Sequence, residues 1–200
     1  MSTPPHKDYT GAKLGMWLFL YTEFLLFGGL FVLYAVYLHR YPAEFADAAA
    51  TLSTPLGAAN TVILLTGSLL VAISVSAVRL GQQKLAQWLL WGGVLSGILF
   101  LINKYIEWST EIRHGIYPNS PVLAERAQGE IIFFGLYYAT LGLHGIHVLV
   151  GAIILAVMAV WVGKGIIHRD DFVKLENSGL YWHLVDLVWI FIFPLYYLLL

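Results

Sequence analysis

Residues 129–162 read GEIIFFGLYYATLGLHGIHVLVGAIILAVMAVWV, and inside this run LGLHGIHVLVG (141–151) places two histidines three positions apart among apolar neighbours. A bilayer crossing takes about 20 helical residues, so the stretch is long enough to span. Titratable rings at such a depth are costly and mark a site or a partner. The remaining sequence has the same character. It is 200 residues long, 59% hydrophobic and 12% charged, with a mean hydropathy of +0.74. A soluble domain of this length carries about 25% charged residues.

Four further apolar stretches are long enough to cross, giving spans near 14–38, 56–78, 85–108, 129–162 and 175–200. Strand alternation is absent, so the expected fold is all-α, a polytopic bundle of five transmembrane helices in a single membrane domain over 1–200. Pro42, Pro55, Pro118 and Pro121 fall between spans, where helices are expected to stop, and Pro194 lies inside the last one. The polar lead before residue 14, with Pro4 and Pro5, does not look like a cleaved signal and is expected to be retained.

Charge sets the expected orientation. Lys7, Lys13, Arg79, Lys84, Lys164, Arg169 and Lys174 lie in alternate segments. Arg40, Arg113 and Arg126 lie in the others, diluted by Glu44, Asp47, Glu111 and Glu125. This bias puts the N-terminus in the cytoplasm and the C-terminus on the outer face. Trp88, Trp161 and Trp182 then mark the inner interface and Trp108 the outer one. The net charge is −1 and no basic run suggests a phosphate-binding surface, so nucleic acid is not an expected partner. There is no cysteine, which excludes disulfides and thiolate-bound metal. Small residues form stripes that allow close helix approach: Gly93 and Gly97 in a GxxxG, and Gly135, Ala139, Gly142 and Gly145 in span four.

Ionisable groups inside spans are Glu23, Glu107, His144, His147, His183 and Asp186. His144 and His147 share a helix face, about 4.5 Å apart along the axis, and cannot bind opposite faces of one haem. His183, about 12 Å from the inner end of its span, is mismatched by about 10 Å with His147 at about 22 Å. A metal site would need His144, His147 and Glu23 to converge, and no HExxH is present. A polar network remains, either structural or proton-linked. Glu23 and Asp186 lie at similar depth, about 15 Å in for Glu23, where a carboxyl is either protonated or paired with a histidine. Lys104 and Glu107 read as an i,i+3 pair near the interface.

The same residues carry a family likeness. ATLGLHGIHVLVGA (139–152) resembles the GxHGxHV-x-x-G signature of subunit III of haem–copper oxidases, and YWHLVDLVWIFIFPLYYL (181–198) is similar to its WYWHFVDVVW helix. Glu23 in YTEFLLFGGLF (21–31) matches the SE-x-x-FF carboxylate, with Thr22 in place of Ser. Asn60 and Thr61 in ANTVILLTGS match LNT-x-x-L-x-x-S/G, and Lys104 and Glu107 in NKYIEW match K/Q-x-x-E-Y. The common mitochondrial form has seven spans. The five expected here resemble subunit III of quinol oxidases and some bacterial cytochrome oxidases.

The resemblance implies a non-catalytic subunit in a bacterial cytoplasmic membrane that binds no haem or copper itself. Those cofactors would sit in catalytic subunit I, the expected partner together with subunit II. Phospholipid binding, support of proton uptake and protection of the catalytic subunit during turnover are the implied roles. Glu23 is the expected functional carboxylate, known in the family for carbodiimide reactivity, with His147 as its partner. His144, His183 and Asp186 would extend the network, while Asn60, Lys104 and Glu107 would be structural polar groups. An accessory subunit of nitric oxide reductase, a b-type membrane cytochrome and a small transporter are the alternatives.

Overall fold

The structure, a computed structural model, describes residues 8–199. The lead with Pro4, Pro5 and Lys7, and Leu200 at the expected end of span five, lie outside the described residues. The described chain forms α1 (Tyr9–Arg40), α2 (Pro42–Ala49), α3 (Thr54–Arg79), α4 (Gln83–Arg113), α5 (Pro121–Ala124), α6 (Gln128–Gly163) and α7 (Val173–Tyr197). Among these residues no strand forms beyond one isolated bridge between His168 and Asp171. Five helices, α1, α3, α4, α6 and α7, are long and apolar enough to cross a membrane. They overlap all five expected spans.

Local chemistry sets the helix ends. The Asp8 side chain accepts the Gly11 amide at 2.7 Å and caps α1. Pro42, Pro55 and Pro121 begin helices α2, α3 and α5 instead of stopping their predecessors. The first helical turn has no intrahelical acceptor for its amide, so proline costs nothing there and its φ is already helical. Only Pro118 stays in a turn, and α7 runs through Pro194 to Tyr197.

α3, α4, α6 and α7 form a ring of neighbours, α3 on α4, α4 on α6, α6 on α7 and α7 on α3. α1 leans on the outside against α6 and α7, and α2 folds back onto α6. Trp182 sits at the centre of the ring, 1% exposed. A Cβ on Gly97 or on Gly151 would lie 2.9 Å from its indole, and one on Gly93 would lie 2.8 Å from Val71. Gly97 and Gly151 form the socket that admits the ring, and Gly93 lets α4 approach α3, through van der Waals packing that lipid cannot match. Trp182 is therefore a core residue and not the interfacial belt residue expected from its position. The glycine socket outcompetes the interface for it. Trp88, by contrast, is 75% exposed.

The two glycine stripes differ. Gly93 and Gly97 are consumed inside the bundle, whereas a Cβ on Gly135 meets nothing within 4 Å. Side chains at Gly142 and Gly145 would make only ordinary contacts, at 3.6 Å to Trp108 and 3.9 Å to Leu101. Overpacking a filled core costs about 1–3 kcal/mol. Gly97→Val should accordingly lower the thermal melting point of the purified subunit, and Gly135→Ala should not. Equal melting points for the two variants would show that the Trp182 socket does not hold the bundle.

Candidate functional site

Most of the ionisable side chains inside the bundle fall into three groups. The first joins α1 to α6. His147 Nε2 lies 3.0 Å from Glu23 Oε2, and both side chains are about 15% exposed. The other ring nitrogen, Nδ1, is 2.8 Å from the carbonyl of Leu143 one turn earlier. A carbonyl only accepts, so Nδ1 carries a hydrogen. The contact with Glu23 then needs one further proton, held by the imidazolium or by the carboxylic acid. Either way the pair is neutral overall, which suits its surroundings. The Phe27 ring meets the imidazole edge-on at 5.3 Å, and the Tyr181 hydroxyl donates to the His147 carbonyl at 3.3 Å.

The second group lies between α3 and α7. Ser68 Oγ is 2.6 Å from His183 Nδ1 and is also a hydrogen-bonding neighbour of Asp186. Asp186 is buried and its Oδ1 has no hydrogen-bond partner among the described residues. Ser68 thus joins the two α7 residues whose spacing placed them on one face. His183 also faces an apolar groove of about 360 Å³ between α1 and α7, beside Trp17, Leu20, Tyr21 and Leu184.

The third and densest group is at the far end of the ring. Lys104 Nζ lies 2.8 Å from Glu107 Oε2 and donates to the Tyr197 hydroxyl at 2.5 Å. Tyr197 and Tyr137 both donate to Glu107 Oε1, at 2.6 and 2.9 Å. Glu111, one turn beyond Glu107, meets the hydroxyls of Tyr137 at 3.3 Å and Tyr138 at 2.9 Å. Lys104 and Glu107 are 7% and 5% exposed. The expected i,i+3 pair is formed, and it is buried inside the protein. It ties α4 to α6 and α7 through tyrosines that the sequence alone did not single out. Glu111, expected among the acidic residues of an outer loop, is a buried member of α4. Its signal was the i,i+4 spacing from Glu107, but only the packing of α6 shows that two tyrosines face it.

The expected five-residue network of Glu23, His144, His147, His183 and Asp186 is thus divided. His144 is fully buried, and neither ring nitrogen has a hydrogen-bond partner among the described residues. Its imidazole stacks on Trp189 at 5.4 Å and meets Phe100 edge-on at 5.3 Å. It is packed as an aromatic ring, one turn along α6 from the Glu23 pair. Asn60 accepts from Asn103 at 2.9 Å and links α3 to α4. Beside it Thr61 accepts the Trp189 indole N–H at 3.0 Å and links α3 to α7. Among the described residues no group of three or more His, Cys, Asp or Glu is placed to hold a metal.

Fold and site together define a five-span membrane helix bundle whose polar groups bind helices to one another. The family model for cytochrome c oxidase subunit III matches residues 6–199. The chain is 31% identical over 193 residues to cytochrome c oxidase subunit 3 of Synechocystis sp., covering 92% of this chain and 74% of that one. It is 30% identical over 194 residues to a probable quinol oxidase subunit 3 of Staphylococcus saprophyticus, covering 94% and 88%. It is 27% identical over 192 residues to a haem–copper oxidase subunit I+III of Aeropyrum pernix, covering 93% of this chain but 22% of that longer protein. The chain belongs to the cytochrome c oxidase subunit III family, the non-catalytic subunit III of terminal haem–copper oxidases.

Removing one partner of a buried ion pair leaves an uncompensated charge and costs about 3–5 kcal/mol. Lys104→Met should therefore destabilise the bundle strongly, and adding Glu107→Leu should restore part of the loss. A double variant no more stable than Lys104→Met in a thermal melt would show that the pair is not the cause.

Proposed function

We propose that this chain is the lipid-facing accessory subunit of a bacterial terminal oxidase, seated beside catalytic subunit I and, through the assembled complex, subunit II. Haem and copper belong to those partners, and the electron-transfer and oxygen chemistry belongs to them as well. The N-terminus lies in the cytoplasm and the C-terminus on the outer face, as the distribution of lysine and arginine requires. A relative in which subunits I and III are one polypeptide supports the contact with subunit I.

The observation that carries the reading is the Glu23–His147 pair. Family membership alone would allow a passive spacer. A carboxyl and an imidazole sharing one proton, 3.0 Å apart between a loosely packed outer helix and the ring, is a group able to exchange that proton. It sits beside apolar grooves on both flanks of α1. One is lined by Phe24, Phe27, Gly28 and Phe31 with α7, and the other by Met16 and Phe19 with α6 and Tyr181. Phospholipid acyl chains fill such grooves, and the pair supports proton supply to the catalytic subunit and prolongs its working life. The open edge of α6 at Gly135, Gly142 and Gly145 supplies a surface for close approach by a neighbouring helix.

Purification of the full chain in mild detergent should bring down a subunit with a haem spectrum. Glu23→Gln should abolish carbodiimide labelling at that position and shorten the turnover lifetime of the complex, with the initial rate little changed. A variant whose labelling and lifetime both match the wild type would remove Glu23 from this role.

A further inference from the structure

Glu111 is a buried carboxyl that the proposed function leaves unused. It occupies the last turn of α4 and is 9% exposed. At 31 residues α4 is about 46 Å long, more than the roughly 30 Å of a hydrocarbon core, so this end reaches the interfacial layer. The groups facing Glu111 are Lys104 and Glu107 on α4, Tyr137 and Tyr138 on α6, Tyr197 on α7, and His114 just beyond α4.

Counting hydrogens fixes the protonation of this cluster. Tyr138 Oη is 2.7 Å from the carbonyl of Ile116 and 2.9 Å from Glu111 Oε2. A phenol owns one hydrogen, and both a carbonyl and a carboxylate only accept. One of the two short contacts therefore needs a hydrogen that Tyr138 does not have. A proton on Glu111 Oε2 supplies it: the acid donates to Tyr138, and Tyr138 donates to Ile116. The other oxygen of Glu111 is no better supplied. Its only donor among the described residues is Tyr137 at 3.3 Å, whose single hydrogen goes to the nearer Glu107 at 2.9 Å. Glu107 is the ionised member, since Lys104, Tyr197 and Tyr137 all donate to it. Lys104, the one buried lysine or arginine among the described residues, is already spent on Glu107, so a second buried negative charge would stand uncompensated.

The backbone makes this arrangement rigid. Gly115 takes φ 76°, a conformation that favours glycine, and lets the Ile116 amide bond back to the carbonyl of Glu111 at 2.9 Å. The same turn aims the Ile116 carbonyl at Tyr138. A cavity of about 250 Å³ between residues 51–56 and the end of α4, lined in part by Ser53, Thr110 and His114, opens onto Glu107 and Glu111.

We infer that Glu111 is held as a neutral carboxylic acid at neutral pH and exchanges its proton with the aqueous phase through this cavity, forming a proton-bearing site separate from Glu23. On release the proton passes to water or His114 in the cavity. The hydrogen of Tyr138 then turns from Ile116 to the Glu111 carboxylate, and the Ile116 carbonyl gives up that bond.

Infrared difference spectroscopy of the full chain, purified in mild detergent with the subunits that accompany it, tests this. At neutral pH the wild type should show one carboxylic-acid C=O band that Glu111→Gln lacks, and the band should shift after transfer to D2O. Loss of a carboxylate band in place of the acid band overturns the assignment, and a band unmoved by D2O overturns the exchange. Should Glu111→Gln fail to assemble, Tyr138→Phe removes the acceptor of the acid's hydrogen bond and should move the same band to higher frequency. A band unchanged in Tyr138→Phe also overturns the inference.

Discussion

Hydrocarbon offers a polar group nothing to bond with, and this constraint decides where most of the hydroxyl and charged side chains inside the spans sit. A serine or threonine hydroxyl in a span bonds back to its own helix, as Thr66 does to Val62 and Ser96 to Gly93. A charged group has no such local remedy and must reach another helix. Lys104 pairs with Glu107 on its own helix, and the pair reaches α6 and α7 through the hydroxyls of Tyr137 and Tyr197, so the four residues lock three helices together. The ring α3–α4–α6–α7 therefore closes for two reasons: the Trp182 socket supplies dispersion, and the buried polar groups forbid the helices from parting.

α1 stands outside that ring and is held by points instead of by surface. At one end Lys13 pairs with Glu176 at 2.9 Å, and Arg79 of α3 pairs with the same carboxylate. In the middle Glu23 meets His147, and at the other end the Tyr34 hydroxyl bonds to the Leu195 carbonyl within a box of aromatic rings that includes Phe45, Phe133 and Tyr196. Between these points lie the apolar grooves. A helix attached this way leaves apolar grooves on both of its flanks and keeps the Glu23–His147 pair close to them. The ring behind stays closed.

The five spans were legible in the sequence because each is longer than the hydrocarbon core and few charges interrupt it. The depth argument against a haem held by His144 and His147 also needed only helical rise. The Glu23–His147 contact was expected from burial cost and a family likeness. Nothing in the sequence could give its geometry, because the contact depends on how α1 crosses α6. Other readings changed on packing. Trp182 looked like an interfacial anchor until Gly97 of α4 and Gly151 of α6 made room for it. His144 looked like a polar link until Phe100 and Trp189 enclosed it. Glu111 looked like a loop carboxylate because its last-turn position hides that α6 faces it with Tyr137 and Tyr138.

By itself, the sequence determined that the chain is a membrane helix bundle, which helices cross, and which ionisable groups must find partners. These follow from hydropathy, periodicity and the cost of burying charge, all of which are properties of single segments. The tertiary structure decided who those partners are, which glycines are filled and which stay open, and which of two neighbouring carboxyls keeps its proton. Those outcomes depend on distances between helices far apart in the chain. A hydrogen bond made or missed within an ångström has no trace in the order of residues.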